Sequence, residues 1–151
     1  MADIPFVRTT CDCKTCVRCC KDQPGPLIPG DFERIAEHLG ETPEEAKEHF
    51  WASPGALVKD SATGQVIRVG TITPKRVKTE RGRRCVFLDE NDRCRVHGVA
   101  PFGCAYFDTH MSNETAHKRG IWAVLRQMND AAYQALRNAL PYATSYKPNG
   151  Y

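Results

Sequence analysis

The residues of this chain best suited to chemistry are its cysteines. There are eight among 151 residues, and five of them fall between Cys11 and Cys20. The run reads Cys13-Lys-Thr-Cys16-Val-Arg-Cys19-Cys20. Two residues between cysteines let both thiolates reach one ion, with the intervening amides turned towards the sulfurs. Three cysteines so spaced also open the bacterial ferredoxin run, in which a fourth follows after three residues and precedes a proline. Here that fourth position is Gln23, and Pro24 does follow. The run is thus one ligand short, and a four-cysteine site must recruit Cys20 or a distant cysteine.

Cys85, Cys94 and Cys104 are the distant candidates. Cys85-Val-Phe-Leu88 reads as a short strand, Asp89–Asp92 as a turn, and Cys94–His97 as the returning strand. A hairpin brings its ends together, so Cys85 and Cys94 are expected to act as a pair, with the N-terminal loop laid over them. Seven thiols around one volume exceed what one tetrahedral ion needs. A cluster, two sites, or one site with a redox-active or buried remainder all satisfy the count. Cys11 is expected to be a bystander. Disulfides are the competing explanation for an even count. They are disfavoured because the cysteines are bunched and a chain of this length folds without covalent staples.

The pattern Cys13-x-x-Cys16-x-x-Cys19-Cys20, then Pro29-x-Asp31-x-x-Arg34-Ile35, then Cys85-x-Phe87-Leu88, Cys94 and Pro101-x-x-Cys104, resembles the YkgJ-type cysteine-cluster family, described as zinc- or iron-chelating. The resemblance covers about the first 105 residues. It implies Cys13, Cys16, Cys19, Cys20, Cys85, Cys94 and Cys104 as ligand positions, and an iron-sulfur cluster or zinc as the cofactor. Zinc accounts for a closed thiolate site with a structural job. An iron-sulfur cluster accounts for the ferredoxin-like triplet and the surplus of cysteines, and is the reading preferred from sequence. The function expected is electron transfer or an accessory redox role, with a redox or protein partner. A structural zinc module and a metal-dependent enzyme are the alternatives.

Other side chains carry weaker signals. His97 follows Cys94 by three residues and reads as a partly exposed hairpin histidine. His110 and His117 are expected to be exposed near the start of the long helix, with His38 and His49 on the early helices. Lys75-Arg-Val-Lys-Thr-Glu-Arg-Gly-Arg-Arg84 is the strongest local charge bias and reads as a solvated loop. The overall charge of +3 is small, and no aromatic residues are interleaved in the basic stretch, so nucleic-acid binding is not supported.

The elements that must position these groups read as α+β: one small domain of irregular cysteine-rich loops, a short β-hairpin, several helices and a long C-terminal helix. Helix is expected over Pro29–Leu39 and from Pro43 to about Trp51. Ala56–Lys59 and Gln65–Val69 read as a hairpin and Thr71–Val77 as a third strand. A short helix is open to Pro101, and a long one to residues 112–140 as a helical extension, kinked or divided at Gly120. No apolar stretch is long enough to cross a membrane, and the first ten residues lack the pattern of a secretory signal, so the cytosol is the expected compartment.

Overall fold

Phe32, Ile35, Ala36 and Leu39 recur at the spacing that puts one apolar stripe on a helix, and in the computed structural model helix α1 spans Asp31–Leu39. The structure describes residues 4–9, 13, 16, 24–55, 57–59 and 62–143. Cys11, Cys19 and Cys20 lie outside the described residues. Gly30 caps α1 at φ 96°, and Gly40 ends it at φ 68°, both in the left-handed region where a Cβ is costly. Helix α2, Pro43–Lys47, begins in a reciprocal capping box between Thr42 and Glu45.

That second helix was expected to reach Trp51, but it stops at Lys47 and strand β1, Phe50–Ser53, takes over. Phe50 and Ala52 are buried while Trp51 between them is half-buried, and such alternation serves a strand. β1 pairs antiparallel with β4, Thr71–Pro74, from Phe50 opposite Pro74 to Ser53 opposite Thr71. Inserted between them is the expected hairpin of β2, Leu57–Lys59, and β3, Val66–Arg68. The expected strand Thr71–Val77 is broken at Lys75. Pro74 has no N–H to extend a ladder, and Lys75 instead donates to the His49 carbonyl and accepts from the Val86 N–H. The basic stretch expected as a loop is a second hairpin, of β5, Arg76–Thr79, and β6, Gly82–Cys85.

The hairpin expected to pair Cys85 with Cys94 is reduced to one bridge, between Leu88 and Cys94. Asp89 closes its turn by accepting the N–H groups of Asn91 and Arg93. A single 3-10 turn, His97–Val99, leads to the short helix α3, Phe102–Ala105, capped by Pro101.

The long C-terminal helix is two helices. α4 spans Asn113–Met128 and α5 spans Ala131–Asn138. Gly120 does not divide α4. The break falls at Asn129 and Asp130, because the Asp130 carboxylate accepts the Tyr133 N–H at 2.8 Å and so starts a new helix. These helices are built into the core. Gln127 Nε2 donates to the Leu27 carbonyl at 2.9 Å, and the Tyr133 hydroxyl donates to the same oxygen at 2.7 Å. That hydroxyl also accepts the Ile72 N–H, and burial holds its pKa well above the usual phenol value. One apolar cluster gathers Leu27, Ile35, Phe50, Ile72, Phe87 and Tyr133. A second gathers Ile28, Phe102 and Ala123 under Phe6 and Trp122. Among the described residues, no helix is long and apolar enough to cross a membrane.

Candidate metal centre

The segment that delivers the first cysteines is fastened down before it reaches them. Phe6 packs edge-on against Trp122. The Arg8 guanidinium donates to the carbonyls of His97 and Gly98, and the Thr9 N–H donates to the Ala105 carbonyl. This course takes the chain to the loop between α3 and α4. There Asp108 accepts the His110 N–H at 2.9 Å, a local turn that fixes the backbone at His110.

Cys13, Cys16 and His110 converge at this point, with their ligand atoms all within 4.8 Å of one another. Cys13 Sγ lies 3.4 Å from His110 Nε2. Thr109 supports Cys16 twice, with Oγ1 at 3.1 Å from the sulfur and its N–H donating to it at 3.5 Å. The two cysteines are half-buried and His110 is exposed. One tetrahedral ion bound at ordinary Zn–S and Zn–N lengths separates its sulfur and nitrogen donors by about 3.5–3.8 Å. The Cys13–His110 separation is close to that value, and Cys16 Sγ lies within 4.8 Å of both atoms. Two thiolates and an imidazole are a donor set for zinc or iron rather than for magnesium or calcium.

Cys104 is placed by a different device. Its Sγ accepts the Gly25 N–H at 3.1 Å. The two backbones cross so closely that a Cβ on Gly25 would lie 2.2 Å from the Gly103 carbonyl carbon, and one on Gly103 would lie 2.3 Å from Pro26 Cδ. Only glycine at both positions permits the crossing, which the Gly103 N–H locks by donating to the Pro26 carbonyl at 2.9 Å. Asp31 holds the start of α3 in place. Its carboxylate is fully buried, accepts the N–H groups of Ile28 at 3.0 Å and Phe102 at 2.9 Å, and pairs with Arg34. Burial raises the Asp31 pKa, against the opposing pull of those two N–H groups and Arg34. The Pro29-x-Asp31-x-x-Arg34 and Pro101-x-x-Cys104 segments are thus joined through one carboxylate.

Cys85 ends β6 and is buried within the main apolar cluster, and Cys94 packs against that cluster opposite Leu88. The three-residue group of ligand atoms found among the described residues includes none of Cys85, Cys94 or Cys104. His97 is exposed at the start of its 3-10 turn and is not in that group either. His110 is the residue that sequence reasoning passed over. Its exposure was expected, but its meeting with Cys13 and Cys16 was not. The available signal was its position in a polar loop, Asp108-Thr109-His110, directly after the Cys104 segment and before the Ser112 cap.

No curated protein and no solved structure matches the chain. Residues 12–122 match the CxxCxxCC family, whose description is "Putative zinc- or iron-chelating domain". The match takes in all seven cysteines expected to be ligands, together with His110, and leaves out Cys11. On a match over most of its length, this chain belongs to the CxxCxxCC family.

Proposed function

We propose that the protein binds a single zinc ion through Cys13, Cys16 and His110, and that this ion ties its N-terminal segment to the loop ahead of α4. The observation that carries the reading is the convergence of two thiol sulfurs and one imidazole nitrogen within 4.8 Å. Thiolates that bind separate irons of a cluster point away from one another, whereas donors sharing one ion crowd together as these do. When bound, the ion would supply charge and strong bonds to these donors. The chain supplies the orientation: Asp108 sets the His110 backbone, and Thr109 holds the Cys16 sulfur. In the family pattern Cys19 and Cys20 are the neighbouring thiols available for the fourth position.

A second reading is an iron-sulfur cluster serving electron transfer or an accessory redox function. It is favoured by the amide of Gly25 donating to Cys104 Sγ, since amide hydrogen bonds to sulfur tune cluster potentials. Anaerobic purification with metal and sulfide analysis separates the two. A colourless protein with about one zinc per chain, and thiolate-to-metal absorption after cobalt substitution, supports the first reading. Brown protein with iron and acid-labile sulfide overturns it in favour of the second. Protein that takes up neither metal sinks both.

A further inference from the structure

Before the chain reaches Cys13 it crosses the aromatic patch of α3 and α4 as a surface strap, residues 4–9. Phe6 is the ring that anchors it, with its centroid 5.6 Å from Trp122 and 6.4 Å from Phe102. The Arg119 guanidinium lies 5.1 Å from the same ring. It also donates to the carbonyls of Val7 at 3.2 Å and Tyr106 at 2.7 Å, and so clasps the strap to the end of α3. Arg8 adds its two bonds to His97 and Gly98, and the Thr9 N–H its bond to Ala105. These contacts are open ones. The strap has no helix or strand of its own; Pro5, Val7 and Arg8 are exposed, and none of its residues is fully buried. Ordering each residue costs backbone entropy, and hydrogen bonds that water can replace contribute little. A segment held this way opens locally while the core stays closed.

The far end of the strap leads to the metal centre. Cys13 follows Thr9 by four residues, and His110 follows Ala105 by five. Four residues of chain reach at most about 14 Å, so Thr9 docked on Ala105 keeps the Cys13 thiol near His110. Tethering of this kind raises the effective concentration of a ligand at its ion. Conversely, an ion held by Cys13, Cys16 and His110 fastens the strap at a second end.

We propose that docking of residues 4–9 over Trp122 and metal binding at Cys13, Cys16 and His110 are reciprocally coupled. Phe6 and Arg8 are then positioning residues that set metal affinity, although neither is in the ligand group. The coupling rests on the single-ion reading above and adds its regulation. Metal loss lifts Phe6 and uncovers the Phe102–Trp122 patch, and loosening the strap releases metal, because linkage runs both ways.

Zinc titration of the full chain against a competing chelator reads one direction. Phe6→Ala and Arg8→Gln should each weaken zinc binding by about tenfold and still take up one ion per chain at saturation. The cobalt-substituted spectrum should match that of the parent, because the ligands are unchanged. Phe6→Leu keeps an apolar anchor and should recover most of the affinity. Hydrogen exchange reads the other direction. The Thr9 amide should exchange at least about tenfold faster once zinc is removed, while the Leu27 amide, which donates to Ile72 in the core, keeps its protection. If the parent binds one zinc but Thr9 exchanges alike with and without it, the coupling is overturned and the metal reading stands. Variants that bind zinc as tightly as the parent overturn it in the same way. Loss of protection at Leu27 as well overturns it, since zinc would then hold the whole fold and not the strap. A parent that binds no zinc overturns both the coupling and the metal reading.

Discussion

Two pairs of cysteines in this chain occupy opposite surroundings. Cys13 and Cys16 lie half-buried near the surface, within reach of His110 and of the hydroxyl and N–H of Thr109. Cys85 is buried in the cluster that contains Phe50, Ile72 and Phe87, and Cys94 packs against it. The first pair faces polar groups of the kind that would orient a metal-bound sulfur. The second lies in or against the apolar core, among phenylalanine and isoleucine side chains. Residue type is the same in both, so the surroundings decide what each thiol is placed to do.

Exchanging residues between the two settings tests this contrast. The largest effect should come from Cys16→Ser. Zinc content is expected to fall from about one ion per chain to near zero, because a structural zinc contributes on the order of 10 kcal/mol to the fold that encloses it. Limited proteolysis should then cut the segment before Pro24, while Cys11→Ser retains both metal and resistance. Equal behaviour of the two variants would break the ligand assignment.

Gly103→Ala comes next. Its Cβ would sit against Pro26 and Gly25 in a backbone crossing that has no room to relax. A loss of about 2–3 kcal/mol in urea unfolding is expected, and an unchanged midpoint would mean the crossing is looser than it looks. Cys85→Ala should cost about 1–2 kcal/mol through lost packing and keep its zinc. If metal analysis shows that Cys85→Ala loses the metal, the two pairs act as one site, and the cluster reading gains.

The smallest effect concerns pH. Burial raises the Asp31 pKa above its unfolded value. The unfolded chain then releases this proton first as pH rises. The contribution of Asp31 to stability is therefore complete below the unfolded pKa and is lost as pH climbs through the folded one. Compared with Asp31→Asn, the parent should hold its greatest relative advantage near about pH 4 and a smaller one near about pH 7. Urea midpoints measured at both ends check this, and a constant gap would contradict it.

Much of the fold was legible because local rules act over short spans. The stripe of α1, the Thr42-Pro43 start of α2 and the first hairpin follow from periodicity, capping and turn residues in adjacent positions. The misreadings have two sources, a distant strand partner in one case and local signals read too weakly in the others. Trp51 joined a strand because β4 lies beside it. The basic stretch became a hairpin, and one carboxylate, Asp130, divided a helix whose apolar stripe runs on past it.

At the metal centre the division is similar. The sequence by itself determined that closely spaced thiols are present and which family they belong to, because ligand spacing within one loop is a local property. Tertiary structure decided that His110 joins Cys13 and Cys16, and that Cys85 lies in the core. It also decided that Cys104 faces Gly25 across a crossing of two glycines. Residues 97 positions apart meet at 3.4 Å only because the N-terminal segment is pinned along α3, and that path depends on contacts no local pattern encodes.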